Sequence, residues 1–294
     1  MPLLPLASLT LAMSLWASAF IALKHILAVW GPGQVIFGRM LVASCCFLLM
    51  YKGLGKFRYQ AGDWRWLLLM TLAEPCFYFL LEANALRFTT AGQAGMITST
   101  LPLLVGLVAY FMLGERVSPR QWLGFLLAMV GVTVLSLSGT QSDNASNPLL
   151  GNLLEFGAML CAAVYAVVLK KMSSRYSPLT LTSLQAFTGT LFFLPLALSE
   201  PWPQQVGAME LGIIFYLGTC ITLGAYLLFN WAITKMPVTI ANAYINLIPV
   251  FTLLFAYLLL GETLNPTQLL AASLVLVGVV LSQLPLRRRT AVPA

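Results

Sequence analysis

The chain has 294 residues, 60% hydrophobic and 9% charged, with a formal charge of +7 and a mean hydropathy of +0.88. A soluble domain is roughly 25% charged and 45–50% apolar, so a soluble globular enzyme is excluded. Disorder is excluded as well, because it needs low hydrophobicity and high charge.

A spanning helix needs about 20 mostly apolar residues, since ~30 Å of hydrocarbon is covered at 1.5 Å per residue. Ten runs meet this requirement: Leu3–Leu23, Pro32–Met50, Trp66–Leu86, Ala91–Leu113, Pro119–Leu137, Leu149–Leu169, Leu179–Leu198, Leu211–Ile233, Thr239–Leu260 and Pro266–Leu284. They are continuous rather than alternating, which predicts helices and not barrel strands. The first run has no basic stretch before it and exceeds the usual apolar core of a signal peptide, so it reads as a helix of the mature protein. The five cysteines (Cys45, Cys46, Cys76, Cys161, Cys220) all fall inside apolar runs without metal-ligand spacing. They read as small buried apolar residues, and no metal or cofactor is expected.

The basic residues set an expected orientation. With the N-terminus in the cytoplasm, and Arg120 at the start of the fifth run counted with the connection before it, the inner connections hold 13 of the 15 connection Lys and Arg residues; Arg39 lies within the second run. The positive-inside rule then puts both termini in the cytoplasm. The net charge is thus a topology signal, and no nucleic-acid partner is expected.

Residues 85–137 laid on 232–284, at an offset of 147, are identical at 17 of 53 positions without gaps. The pairs include Pro102 with Pro249, Leu113-Gly114-Glu115 with Leu260-Gly261-Glu262, Pro119 with Pro266, Gln121 with Gln268, and Gly131 with Gly278. A weaker match near offset 145 sets Phe20 on Tyr165. Each repeat holds five runs, an odd number, so the second copy is expected to enter the membrane inverted. Inverted repeats are a hallmark of secondary transporters, with the substrate near the midplane where the copies meet. The expected organisation is a first repeat over 1–138, an extracytoplasmic linker over 139–148, a second repeat over 149–285 and a basic cytoplasmic tail over 286–294. Ser118-Pro119 and Asn265-Pro266 supply an N-cap followed by proline, with Gln121 and Gln268 at the capping-box position. Glu115 and Glu262 read as structural charges in those turns.

Ten helices in two inverted halves, each with a Pro…Leu-Gly-Glu helix followed by a Gly-Val helix, resemble the drug/metabolite transporter superfamily. More narrowly, the chain is similar to the EamA family of inner-membrane exporters. The Trp16-Ala-Ser-Ala-Phe20 stretch, Arg39, Ala85-Leu86 and the two Gly-Glu ends look like family features. The resemblance implies a cavity lined mainly by helices 1, 3, 4, 6, 8 and 9, and export of amino acids, other metabolites or toxic compounds across the inner membrane.

Polar groups at membrane depth are expensive and are functional candidates by default. Helix 3 carries Glu74 and Glu82, separated by about 80° on a regular helix with Tyr78 between them. Desolvation disfavours a charged carboxyl, which suits a proton carrier; opposite a substrate amine, the same group serves as counter-ion. The structural alternatives are hydration of Glu82 and pairing of Glu74 with Arg39. Neither acid has a mirror in the second repeat, where Ile221 and Phe229 stand, whereas Arg39 has its mirror near Gln185. Arg39 itself is read as structural, with neutralisation of a substrate carboxylate as the other role. Pro75 predicts a kink.

Helix 9 carries Asn242, Asn246 and Pro249; helix 4 carries Gly95, Ser99 and Pro102 at matching positions. These stripes read equally as site lining, with the prolines interrupting the helices, or as packing glue. Trp16, Phe20, Tyr78, Tyr165 and Tyr226 lie within segments, away from interfacial belts, and Asn230 is a further wall candidate. Rings around a carboxylate suit an organic cation or a zwitterion.

The leading expectation is a secondary exporter of small metabolites, coupled to protons and working by alternating access as a monomer or homodimer. An organic-cation or multidrug exporter is the alternative. A channel or an intramembrane enzyme is remote: no P-loop, G-x-S-x-G or H-E-x-x-H stretch is present.

Overall fold

Inside hydrocarbon a backbone must close its hydrogen bonds within itself, which turns apolar runs into helices. The computed structural model describes residues 3–50, 59–114, 118–138, 145–203, 206–233 and 244–283, and it is all-helical. The helices are α1 (Leu3–Ile26), α2 (Pro32–Leu49), α3 (Asp63–Phe88), α4 (Ala91–Leu113) and α5 (Pro119–Leu137). They continue with α6 (Pro148–Met172), α7 (Pro178–Ser199), α8 (Ala208–Tyr216, Leu217–Ala225 and Tyr226–Ile233 in succession), α9 (Leu247–Leu260) and α10 (Pro266–Gln283). Seven are long and apolar enough to cross a membrane, and the shorter apolar stretches are Trp122–Leu137, Leu247–Leu260 and Pro266–Gly278. The first part of run Thr239–Leu260, with Asn242, lies outside the described residues.

Local chemistry sets the helix ends. Asn265 and Gln268 form a reciprocal capping box at α10: each side-chain oxygen accepts the other's backbone N–H, at 2.8 and 2.9 Å. The ends of α4 and α9 turn through Gly114 (φ 68°) and Gly261 (φ 65°). Only glycine takes this left-handed turn without steric cost, so the repeated Leu-Gly-Glu is a helix stop. Glu115 and the side chain of Gln121 lie outside the described residues.

Glu262 reaches beyond its own turn. Its two carboxylate oxygens accept the backbone N–H groups of Ala91 (3.1 Å) and Gly92 (2.8 Å) at the start of α4. Glu200 does the same for Gly33 and Gln34 at the start of α2. A carboxylate at a helix N-terminus satisfies orphan donors and complements the dipole. Both carboxylates belong to the second repeat and both capped helices to the first, so the caps join the halves.

Packing follows the sequence repeat. Helix α5 packs on α10, α2 on α7, α3 on α6, and α1 and α4 on α9. At the first pair, a Cβ on Gly131 would meet the Ala271 carbonyl at 2.8 Å, and one on Gly278 would meet the Gly124 carbonyl at 2.6 Å. Gly124 and Ala271 are themselves 147 apart, so the two contacts are related by exchanging the repeats. Ser44 on α2 likewise bonds Thr190 on α7, its equivalent 146 residues on, at 3.0 Å.

The outward surface is strongly apolar, with Leu48, Phe111, Leu126, Phe215 and Leu270 exposed. Such a belt marks a lipid-facing surface. Cys45 and Cys220 belong to this exposed surface and only Cys76 is buried, which corrects the reading of all five cysteines as interior. Their helices are apolar all round, so composition does not distinguish a lipid-facing from a core-facing cysteine. The chain is a multi-pass membrane protein.

Candidate functional site

Two helices leave regular α geometry at equivalent places. In α3, Pro75 has no N–H to give the carbonyl one turn back, and its ring crowds that carbonyl. The stretch Leu72–Phe77 winds wide, and Glu74 has extended backbone (φ −144°, ψ 121°). In α8 the stretch Leu217–Ala225 also winds wide, without a proline. There Thr222 Oγ1 donates to the Leu217 carbonyl five residues back, at 3.0 Å. Wide turns inside helices are frequent at functional sites. Because Glu74 sits in this interruption, the regular-helix angle between Glu74 and Glu82 does not describe α3.

Each interruption is held by a side chain of the opposite repeat. Gln185 Nε2 on α7 donates to the Glu74 backbone carbonyl at 3.0 Å. Arg39 Nε on α2 donates to Thr222 Oγ1 at 2.8 Å. Arg39 and Gln185 are 146 residues apart, so they are mirror residues with mirror tasks. Freed backbone groups at membrane depth need such partners. The Arg39 guanidinium also lies over the Phe79 ring, 4.2 Å from its centroid. It interacts electrostatically with both Glu82 and Glu74, but Glu74 takes its hydrogen bond elsewhere.

That bond comes from Tyr226, whose hydroxyl donates to Glu74 Oε1 at 2.7 Å. The Tyr226 ring meets Trp16 edge-on at 5.3 Å, and Trp16 meets Phe229 at 5.4 Å. Tyr165 donates to Gln185 Oε1 at 3.3 Å, completing a chain from α6 through α7 to the α3 interruption. Tyr78 donates to Glu82 Oε1 at 2.6 Å, one helical turn away. Both carboxyl residues are buried, at 7% and 5% exposure. Thus Trp16, Glu74, Tyr165 and Tyr226 converge from α1, α3, α6 and α8, and Tyr78 and Glu82 form a neighbouring pair on which the same guanidinium acts electrostatically.

The other sequence-selected residues stand apart from this network. Phe20 is buried in the core between α1 and its neighbours. Ser99 donates to the Met96 carbonyl of its own helix at 2.6 Å, and a Cβ on Gly95 would overlap Thr252 of α9. Thr98–Thr100 tightens into a 3-10 turn just before Pro102. Pro249 is buried in the first turn of α9 and Asn246 is half-buried immediately before that helix. The side chain of Asn230 lies outside the described residues, as does Asn242.

One acid escaped the sequence reading. Glu155 on α6 is completely buried, and neither carboxyl oxygen has a hydrogen-bond partner. Its electrostatic neighbours are Glu82 and Tyr78. The rule that singled out Glu74 and Glu82 applies equally to Glu155, which lies well inside the run Leu149–Leu169. Among the described residues no cluster of His, Cys, Asp and Glu is suited to hold a metal ion.

At one end of the bundle, Asp63 at the start of α3 accepts from Arg175 and from the Tyr176 hydroxyl, between α6 and α7. Burial and the Asp63 carboxylate together hold the Tyr176 phenol above its usual value, so it remains a donor. At the other end, Lys24 Nζ donates to the carbonyls of Leu86 (2.6 Å) and Thr89 (2.7 Å), where α3 finishes. Cations complement helix C-termini in this way.

A solved crystal structure superposes with a TM-score of 0.65 at 20% identity, covering 95% of this chain and 98% of that one, and shares the fold. An uncharacterized transporter of Archaeoglobus fulgidus is 28% identical over 93% of this chain and 95% of its own length. The uncharacterized transporter YetK of Bacillus subtilis is 27% identical over 71% of this chain and 64% of its own. A protein of Streptantibioticus cattleyicolor, named as a probable terminal-alkyne amino-acid exporter, is 26% identical over 96% and 93%. The profile of the EamA-like transporter family matches twice, over residues 4–137 and 149–284. A transporter family built on a duplicated unit accounts for both the repeat and the mirrored helix interruptions, and this chain belongs to the EamA-like transporter family.

Proposed function

We propose that this transporter is a secondary exporter of small amphipathic metabolites, amino acids among them, driven by protons through alternating access. The reading places ten crossings in the inner membrane, with both termini in the cytoplasm and the two five-helix halves inverted. It uses no cofactor; its partners are the substrate, protons and the lipid bilayer. The observation that carries it is the Glu74–Tyr226 hydrogen bond. It joins the interrupted segment of α3 to α8, so a titratable group on one repeat is bonded to the other repeat at the place where both helices are wound loosely. Protonation of Glu74 removes charge from that contact and changes how firmly the halves hold together. Trp16, Phe20, Tyr78, Glu82, Ser99, Tyr165, Asn230, Asn242 and Asn246 belong to the proposed substrate path, and Pro75, Pro102 and Pro249 to its moving joints. The similarity to a named amino-acid exporter supports the substrate class.

The ring system around Glu74 favours a second reading, in which the cargo is an organic amine. Proteoliposomes with an internal pH dye, challenged with amino acids and with amines, distinguish the two. Wild-type protein is expected to move protons with one panel, and Glu74→Gln to lose that signal while remaining folded and inserted. Wild-type coupling in Glu74→Gln would falsify the proton role.

A further inference from the structure

The Glu155 carboxyl makes no hydrogen bond to any described residue. We propose that Glu155 is the counter-ion for a primary or secondary ammonium group of the substrate, seated between α6 and α3 beside Glu82 and Tyr78. This rests on the transport reading and adds to it a residue and a chemical class of cargo.

Glu155 is 0% exposed and both of its oxygens lack partners. An isolated carboxylate in a low-dielectric interior is very costly, and a protonated one still leaves its O–H without an acceptor. The nearby donors are committed elsewhere. Asn152, three residues earlier on α6, donates to Gln93 Oε1 on α4 at 2.8 Å and accepts from the Thr89 hydroxyl at 2.7 Å. The Tyr78 hydroxyl on α3 is given to Glu82. Arg39 on α2 bonds Thr222 through Nε and lies over Phe79, and its electrostatic partners do not include Glu155. The charged and titratable groups facing Glu155 from α3 are Glu82 and Tyr78, and the Arg39 charge is shared by Glu82 and Glu74. Glu82 and Glu155 therefore face each other, the Arg39 charge acts on Glu82 and Glu74, and no cation among the described residues serves Glu155.

The missing partner must bring both charge and N–H donors. A primary or secondary ammonium does so. A quaternary ammonium brings charge without donors, and a hydroxyl brings a donor without charge. Glu155 lies seven residues from the start of α6 and Glu82 six from the end of α3. At 1.5 Å per residue both are about 10 Å from one end of the bundle, a depth suited to a ligand held inside the membrane.

The test is calorimetric binding to the full chain in lipid nanodiscs, with 2-phenylethylamine, its N,N,N-trimethyl derivative and 2-phenylethanol as probes. Wild-type protein is expected to bind the primary amine at least tenfold more tightly than the alcohol, with the quaternary analogue between them. Glu155→Gln should lower the amine to the level of the alcohol and leave the alcohol within twofold. Glu155→Asp, which keeps the charge, should retain a preference for the amine, and it decides the matter if Glu155→Gln does not fold. Equal binding of amine and alcohol by wild type overturns the proposal. So does an amine preference that survives in folded Glu155→Gln, or a change confined to pH dependence, which would make Glu155 a proton site alone. Failure here with intact proton flux in proteoliposomes leaves the transport reading standing. Loss of amine binding in Glu155→Gln without any flux leaves a binding site and removes the transport reading.

Discussion

Tyr226 and Glu74 illustrate how much one hydrogen bond can be asked to do. The phenol is bonded to the carboxyl while its ring stacks edge-on with Trp16. Tyr226→Phe keeps the ring and removes only the donor. A typical intramolecular hydrogen bond contributes about 0.5–1.5 kcal/mol net, so the variant should remain folded with a small change in Tm. Proton-coupled flux should nevertheless fall roughly tenfold or more, since the bond between the repeats at the α3 interruption is gone; 1.4 kcal/mol corresponds to that factor. Unchanged flux in folded Tyr226→Phe would remove this contact from the mechanism. Arg39 makes the complementary case. It is buried, stacked on Phe79 and bonded to Thr222, and its charge faces two acids. Arg39→Leu leaves those acids without their cation, and breaking a buried charge cluster costs about 3–5 kcal/mol. A large drop in detergent-solubilised Tm is expected; a drop of only a degree or two would show that the acids lean on other partners.

Among the elements, the helix pairs formed across the repeats are the most sharply testable. At the α5–α10 crossing, Gly131 and Gly278 each face a backbone carbonyl of the opposite helix at distances that exclude a side chain. Gly131→Leu and Gly278→Leu should therefore destabilise to a similar extent, by at least the 1–3 kcal/mol that overpacking costs. A Cβ on Gly106, within α4, meets nothing within 4 Å. Gly106→Ala is expected to be neutral or to stabilise by about 0.5–1 kcal/mol, because alanine loses less freedom in a helix. Equal Tm values for Gly131→Leu and Gly106→Ala would show that the crossing is not close-packed. The interrupted helices were legible to different degrees. Pro75 announces the α3 break, because proline has no N–H to give. Nothing comparable marks the Leu217–Ala225 stretch of α8, where the wide turn depends on Thr222 bonding back to Leu217 and on Arg39 reaching it from another helix. Such a break depends on a long-range contact and leaves no local signature.

For the whole molecule, the charge distribution makes a firm prediction. With Arg120 counted in the connection it borders, 13 of the 15 connection Lys and Arg residues fall on one side, so a fluorescent reporter fused after Arg289 should light up in the cytoplasm. An alkaline phosphatase inserted in the Gly139–Pro148 connection should be active outside; the reverse pattern would invert the topology. The linear chain alone establishes the helical membrane class, the helix ends at Gly114 and Gly261, and the 147-residue repeat. These follow from composition, from local backbone chemistry and from self-similarity, all of which act within a few neighbouring residues or between two copies of the same text. It also singled out Glu74, Glu82, Tyr78 and Tyr226 as buried polar candidates, since polarity inside an apolar run is visible one residue at a time. Packing settles which of them touch: that Tyr226 rather than Arg39 bonds Glu74, that Glu262 caps α4 rather than its own turn, and that Glu155 is buried without a donor among the described residues. Partners on different helices are brought together by packing, and distance in space between residues 70 to 180 positions apart is not encoded in either residue's local pattern.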